Sequence, residues 1–195
     1  MKFQFPFKEC RCVEDNTSEV TMRYYIGDIH FGHKKVLDFD SRPFKDVEEM
    51  DREIIWRWNH TVGAEDEVYI VGDFAYRNER PAEWYLAQLQ GHKYLIIGNH
   101  DGNLLKNEKA MSYIEGVDKM MFVADEGRKV CICHFPLAEW NGFYKGALHV
   151  YGHIHNRQDT TWEIMKSRDR AYNAGCMLHD YRPVTLSELI SHSVK

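Results

Sequence analysis

The stretch Tyr94-Leu95-Ile96-Ile97-Gly98-Asn99-His100-Asp101 places the tightest constraint on what this chain can fold into. A short apolar run meets a glycine and then three side chains capable of metal or proton chemistry. An apolar run closed by a turn signal reads as a buried strand, and the glycine lets the backbone bend at its end. The polar triplet is therefore expected at the carboxyl end of a core strand, where open α/β sheets place their ligands.

The rest of the chain repeats that arrangement. A strand over residues 22–26 runs into Gly27-Asp28-Ile29-His30, and one over residues 68–71 runs into Gly72-Asp73. Val47, Met50, Ile54, Ile55, Trp58 and Val62 recur at helical spacing, which predicts an amphipathic helix over residues 46–62, capped by Asp46 and stopped at Gly63. Pro81 opens a second helix reaching about Gln90, and residues 103–115 are read as helical. Residues 120–124 and 129–133, joined through Asp125-Glu126-Gly127, form a β-hairpin ending in His134. Residues 147–151 make a strand running into Gly152-His153-Ile154-His155, with late strands expected at 162–165 and 171–174. Thr185-x-x-Glu188 has the spacing of a capping box for a short final helix. Trp56, Trp58 and Trp84 sit at helical spacings and are read as core. Strand–helix alternation followed by hairpins suggests two stacked sheets, the first more parallel and the second more antiparallel, with helices outside.

At 195 residues this is one domain, assigned to residues 22–195, with residues 1–21 a peripheral arm and Met22 a candidate start. The opening Met1-Lys2-Phe3-Gln4-Phe5-Pro6-Phe7 is broken by Gln4 and Pro6 and lacks the apolar core of an export signal. No run approaches the ~20 apolar residues of a membrane span. Five cysteines, an odd number, suit a reducing cytoplasm, and Cys131 and Cys133 within an apolar strand read as packing residues. A net charge of −5 argues against a long nucleic-acid footprint but leaves nucleotides open as substrates.

Eleven histidines are many, and their placement is informative. Five strand ends finish in Asp28-x-His30, Gly72-Asp73, Gly98-Asn99-His100-Asp101, His134 and Gly152-His153-x-His155. In extended backbone, residues two apart face the same way, so each x-separated pair could face one centre. The ligands outnumber what one tetrahedral zinc takes, and a carboxylate able to bridge suits two divalent ions ~3.5–4 Å apart.

This ordered set resembles the calcineurin-like metallophosphoesterase superfamily over residues 28–155. The resemblance implies a four-layer α/β/β/α sandwich of two mixed β-sheets flanked by helices. It implies that Asp28, His30, Asp73 and His155 bind one divalent ion, and that Asp73 bridges to a second held also by Asn99, His134 and His153. The ions would be manganese, iron, zinc or nickel, with manganese favoured. The chemistry implied is in-line attack on phosphorus by a water or hydroxide shared between the ions. His100 resembles the family's outer-sphere histidine, which protonates the leaving oxygen or holds the phosphate, with Asp101 orienting its ring. Tyr76 departs from the family pattern, since many members carry a polar substrate contact three residues after the bridging aspartate. His33 and Arg42 are candidate substrate contacts, Arg42 as a bidentate phosphate clamp, with a structural ion pair as the alternative reading of Arg42.

The reading is a cytoplasmic metal-dependent phosphoesterase acting on a small phosphate ester, with a nucleotide-like phosphodiester favoured because no cap domain is visible to enclose a monoester. A phosphomonoesterase, including a protein or nucleotide phosphatase, is the nearest alternative. An idle scaffold is the rival from another class.

Overall fold

The computed structural model describes residues 21–192, so Cys10, Cys12 and the proposed arm up to Val20 lie outside the described residues. Strands β1 (Arg23–Ile26), β2 (Glu67–Ile70), β3 (His92–Ile96) and β4 (Ile114–Asp118) form one sheet in that order, every pair parallel. Strands β5 (Met120–Asp125), β6 (Arg128–Cys133), β7 (Leu148–Tyr151) and β8 (Ala171–Asn173) form the second. Its β5–β6 hairpin is antiparallel, while β6–β7 and β7–β8 are parallel. The second sheet is thus mixed and less antiparallel than expected: after the hairpin each connection crosses over before pairing.

Among the described residues six α-helices surround the sheets: α1 (Val36–Phe39), α2 (Val47–Thr61), α3 (Ala82–Leu86), α4 (Glu108–Met111), α5 (Thr160–Lys166) and α6 (Leu186–His192). Helix α2 forms where its pattern predicts. Asp46 accepts from the Glu49 amide, and Val47, Met50, Ile54 and Trp58 are buried along one stripe. That stripe packs with Ile26, Val68, Ile70 and Leu95 on the outer face of the first sheet. Tyr25, Tyr69, Val71 and Ile96 on its inner face meet Val130, Ile132, Leu148 and Val150 of the second sheet. Helix α6 adds Leu186 and Leu189 to this inter-sheet core. Its capping box is made as spaced, with the Glu188 carboxylate accepting from the Thr185 amide and the Thr185 hydroxyl oxygen from the Glu188 amide. Helix α5 covers Tyr151 on the far face, completing the α/β/β/α order.

Several elements differ from expectation. Residues 162–165 lie in α5, because the Asp159 carboxylate accepts from the Thr161 and Trp162 amides and starts a helix there. Helix α3 ends at Leu86, short of Gln90. The stretch 103–115 divides into a 3₁₀ turn (Leu104–Lys106) and α4, whose cap is Asn107. Of Trp56, Trp58 and Trp84, all read as core, Trp58 alone is buried; Trp56 and Trp84 are exposed, stacked on His60 and beneath Arg80.

Candidate metal centre

Loops after β1, β2, β3, β6 and β7 converge at one end of the two sheets. The ligand-type atoms of Asp28, His30 and His155 lie within 4.8 Å of one another, as do those of Asp28, Asp73 and His134. Asp73 Oδ2 is 3.6 Å from His30 Nε2 and 3.6 Å from His134 Nε2, between the two groups. Asn99 Oδ1 lies 3.0 Å from His134 Nε2 and 2.9 Å from His153 Nδ1. All seven residues expected as ligands are therefore brought together.

The backbone that does this is not extended. Asp28, His30, Asp73, His153 and His155 all have φ between 53° and 72°. The left-handed region is costly for residues with a Cβ, though Asp and His tolerate it better than most. Two left-handed residues separated by a buried one, Ile29 or Ile154, send both polar side chains inward and anchor the apolar one in the core. Alternation along a strand predicts the right facing for the wrong reason.

Such strain persists only where neighbours over-determine it. Arg42 does this at the first turn. Its Nη2 donates to the Asp28 carbonyl at 2.8 Å and its Nη1 to the Ile29 carbonyl at 2.8 Å. Its Nε and Nη2 bond Asp40 Oδ2, and the side chain is fully buried. Arg42 is therefore a brace for the ligand loop, the structural ion pair of its two readings, and not a phosphate clamp; its fork is already filled. The Asp28 carboxylate accepts the His153 amide and so holds the second turn. Asp101 ties the remaining loops together, accepting from the amides of Gly98 (2.7 Å), Asp73 (2.9 Å) and Phe74 (2.9 Å). Both its oxygens are used on backbone, so it braces the Asp73 loop where an orienter of the His100 ring was expected.

The glycines of the motifs are slots for site side chains. A Cβ on Gly98 would strike the Asp73 carboxylate, one on Gly72 the His134 ring, and one on Gly152 would sit 2.7 Å from Asp28 Oδ2. Gly72 also has φ +78°, which suits a residue without Cβ.

The donor set is arranged for cations. His134 Nδ1 lies 2.8 Å from the Val71 carbonyl, which can only accept, so that nitrogen carries the proton and Nε2 presents a lone pair. His155 Nδ1 lies 2.9 Å from the Asp40 carboxylate, which fixes its ring the same way. Its Nε2 then faces His30 Nε2 at 3.3 Å, and that of His134 faces Asn99 Oδ1. The lone pairs of His134 Nε2 and Asn99 Oδ1 oppose each other and repel unless a cation lies between them. Burial pushes the Asp28 carboxyl up to about 6, against the pull of His155 and His134. Burial also lowers His30 and His153. His155 loses to burial but gains more from Asp40 and Asp28, and stands above its ordinary value. Burial thus favours the neutral, lone-paired form of the candidate ligands His30 and His153, and leaves the buried Asp28 carboxylate in need of a positive partner.

Asp40 is the residue sequence reasoning missed. It orients His155 from 115 residues away and neutralises Arg42, and nothing distinguishes it among thirty acidic residues. His100 donates its amide to Asp73 Oδ1 and its half-buried ring sits at the mouth, Nε2 4.0 Å from Asp73 Oδ2. Tyr76 packs on that ring with centroids 4.1 Å apart. His33 is buried beside His30 and edge-on to Tyr76, so it lies at the site. His179 donates to the Asn173 carbonyl and is structural.

Residues 24–185 match the model of the calcineurin-like phosphoesterase family, and the chain belongs to that family. It is thereby a metal-dependent phosphoric ester hydrolase. An uncharacterised protein of Methanocaldococcus jannaschii is 27% identical over 169 residues, covering 86% of this chain and 88% of that protein. The Gene 66 protein of Mycobacterium phage L5 is 27% identical over 199 residues, covering 80% of this chain and 95% of that protein. The crystal structure of a protein of unknown function from Aquifex aeolicus has the same fold, with a TM-score of 0.69 at 23% identity, covering 88% of this chain and 99% of that one.

Proposed function

We propose that this protein is a phosphodiesterase with a two-ion centre, manganese favoured, acting in the cytoplasm on a small nucleotide-like diester. One observation carries the two-ion reading. Asp28 belongs to both metal-capable groups, and Asp73 Oδ2 stands equally far from a histidine of each. Asp28, His30 and His155 would hold one ion, with Asp73 shared; Asn99, His134 and His153 would hold the other. When bound, such ions supply Lewis acidity at the phosphoryl oxygens and lower the pKa of a water.

The chain's own residues do the remainder. Asp40 and the Val71 carbonyl fix the tautomers of His155 and His134. His100, at the mouth, is placed to give a proton to the leaving oxygen or to hold a phosphoryl oxygen. The exposed Asn99 and half-buried His153 leave the centre open on one side, which favours a diester with substituents on both sides of phosphorus. Buried free thiols at Cys131, Cys133 and Cys176 support the cytoplasmic assignment, and no helix among the described residues is long and apolar enough to cross a membrane.

The test is hydrolysis of paired nitrophenyl phosphate mono- and diesters after metal stripping and manganese add-back, with bound metal counted. Diester turnover restored at about two ions per chain is expected, from the two-metal template. Turnover of the monoester alone would replace the reading with a phosphatase, and neither metal nor turnover would favour a scaffold.

A further inference from the structure

Large apolar side chains are exposed at several places, and three of the aromatic ones have partners away from the site. Trp56 lies on His60, Trp84 lies under Arg80, and the Tyr144 hydroxyl bonds Glu139. Phe39 and Phe135 differ. Phe39 is 56% exposed and its ring partners are His33 (5.8 Å) and His155 (5.6 Å). Phe135 is 44% exposed and its ring partners are His134 (5.1 Å) and His153 (4.7 Å). Each phenyl ring is held by histidines of the metal centre and turns its remaining surface to water.

Their positions are complementary. His155 belongs to the group with Asp28 and His30, whereas His134 belongs to the group with Asp28 and Asp73. One ring therefore flanks each half of the centre. A phosphodiester seated between the halves has one substituent directed to either side. Flat aromatic substituents stack on such rings without reading base identity. Contact with the histidine rings pre-sets the phenyl rings, so little side-chain freedom is lost on binding.

We propose that Phe39 and Phe135 form a two-sided stacking subsite for the bases of a dinucleotide-sized diester, the phosphate lying at the metal centre between them. The proposal rests on the phosphodiesterase reading and names its substrate class. Size follows from charge: at −5 net, the chain carries no excess positive charge to hold the many phosphates of a long strand. Stacking then supplies the affinity that electrostatics does not.

The experiment compares bis(nitrophenyl) phosphate with methyl nitrophenyl phosphate, which lacks one ring, using the full manganese-loaded chain. In the wild type the two-ring diester should show a roughly tenfold lower KM, as one stacked ring implies. Phe39→Ala and Phe135→Ala should each shrink that preference severalfold, whereas Tyr144→Ala, at an exposed ring elsewhere, should preserve it. Phe39→Leu separates ring stacking from apolar area and should behave as Phe39→Ala. Independently, proton spectra of thymidylyl-thymidine titrated with the zinc-loaded chain should show base protons shifted upfield, less so in the variants. A KM preference unchanged in both alanine variants, or base protons that do not move, would overturn the subsite and leave the phosphodiesterase standing. Failure of the wild type to hydrolyse either diester would overturn both.

Discussion

The inner and outer halves of this site are built differently. On the inside, Asp28, Arg42, Asp40 and Asp101 are buried, and their polar atoms are used on backbone, on each other or on the ligand histidines. On the outside, Asn99, Phe39 and Phe135 are exposed, and His100 and Tyr76 are half-buried and held by ring contacts. The inner half is a frame that fixes where ligands stand, against the backbone strain of five left-handed residues. The outer half makes few internal demands and can meet a substrate. Changes inside should therefore register as stability and metal content, and changes outside, the candidate ligand Asn99 apart, as substrate binding and turnover.

Asp101 offers the strongest way to break that division. As a proton-relay partner of His100, its loss would slow turnover and little else. As the acceptor of three buried amides, its removal strands three donors at about 1–3 kcal/mol each. Asp101→Ala is expected to lose about 3–5 kcal/mol in denaturant unfolding, allowing for partial relaxation, together with bound metal. A loss below ~1 kcal/mol with metal retained would return Asp101 to the outer, catalytic half.

Asp51 extends the frame one turn beyond His30 and gives a pH-dependent effect of intermediate size. Its carboxylate accepts the Gly32 amide and the Tyr85 hydroxyl, and burial pushes its pKa up to about 6. Unfolded, the same carboxyl titrates near ~3.9. Between those values the unfolded chain has released its proton while the folded chain keeps it, so stability falls as pH rises from ~4 to about 6. The loss attributable to this group is on the order of 2–3 kcal/mol, absent below ~pH 4 and complete above the folded value. The difference in unfolding free energy between wild type and Asp51→Asn, followed from pH 4 to 7, should trace that fall. A difference independent of pH would mean that Asp51 ionises normally and carries no such strain.

The strand ends that carry the candidate ligands and His100 were legible in the sequence; the bracing behind them and the Phe39 and Phe135 rings were not. The run Ile96-Ile97-Gly98-Asn99-His100-Asp101 identifies a strand end bearing chemistry because β3 is buried and local pattern reports burial. Asp46 and the Thr185–Glu188 box are legible for the same reason, since a helix cap is a local event. Asp40 and His155 are 115 residues apart, and a carboxylate that braces looks no different from one that faces solvent. Arg42 shows how this misleads: an arginine in a loop near an anion site has a fork suited to phosphate, but that fork is filled by two carbonyls and Asp40. Gly98 was read as a bend, but its value lies in the room it leaves for the Asp73 carboxylate, a contact across 25 residues of sequence. Residues 162–165 failed for a further reason: a four-residue apolar pattern does not separate strand from helix, and Asp159 decided it.

His100 tests the outer half at its most central point and has the smallest expected effect on the fold. Its contribution to the frame is the backbone amide to Asp73 Oδ1, which an alanine keeps. Its ring packs on Tyr76 and is partly open to water, so truncation leaves no sealed cavity. His100→Ala is therefore expected to unfold within about 1 kcal/mol of the wild type and to bind the same number of ions. Loss of a general acid lowers kcat by about 10²–10⁴-fold, and the loss should be smallest for diesters whose leaving group needs no proton. Nitrophenolate is such a leaving group, and a nucleoside alkoxide is not. A kcat deficit much larger for thymidylyl-thymidine than for bis(nitrophenyl) phosphate would mark His100 as the proton donor. Equal deficits on the two would assign it to holding the phosphoryl oxygens, and loss of metal would move it into the frame, where the geometry does not place it.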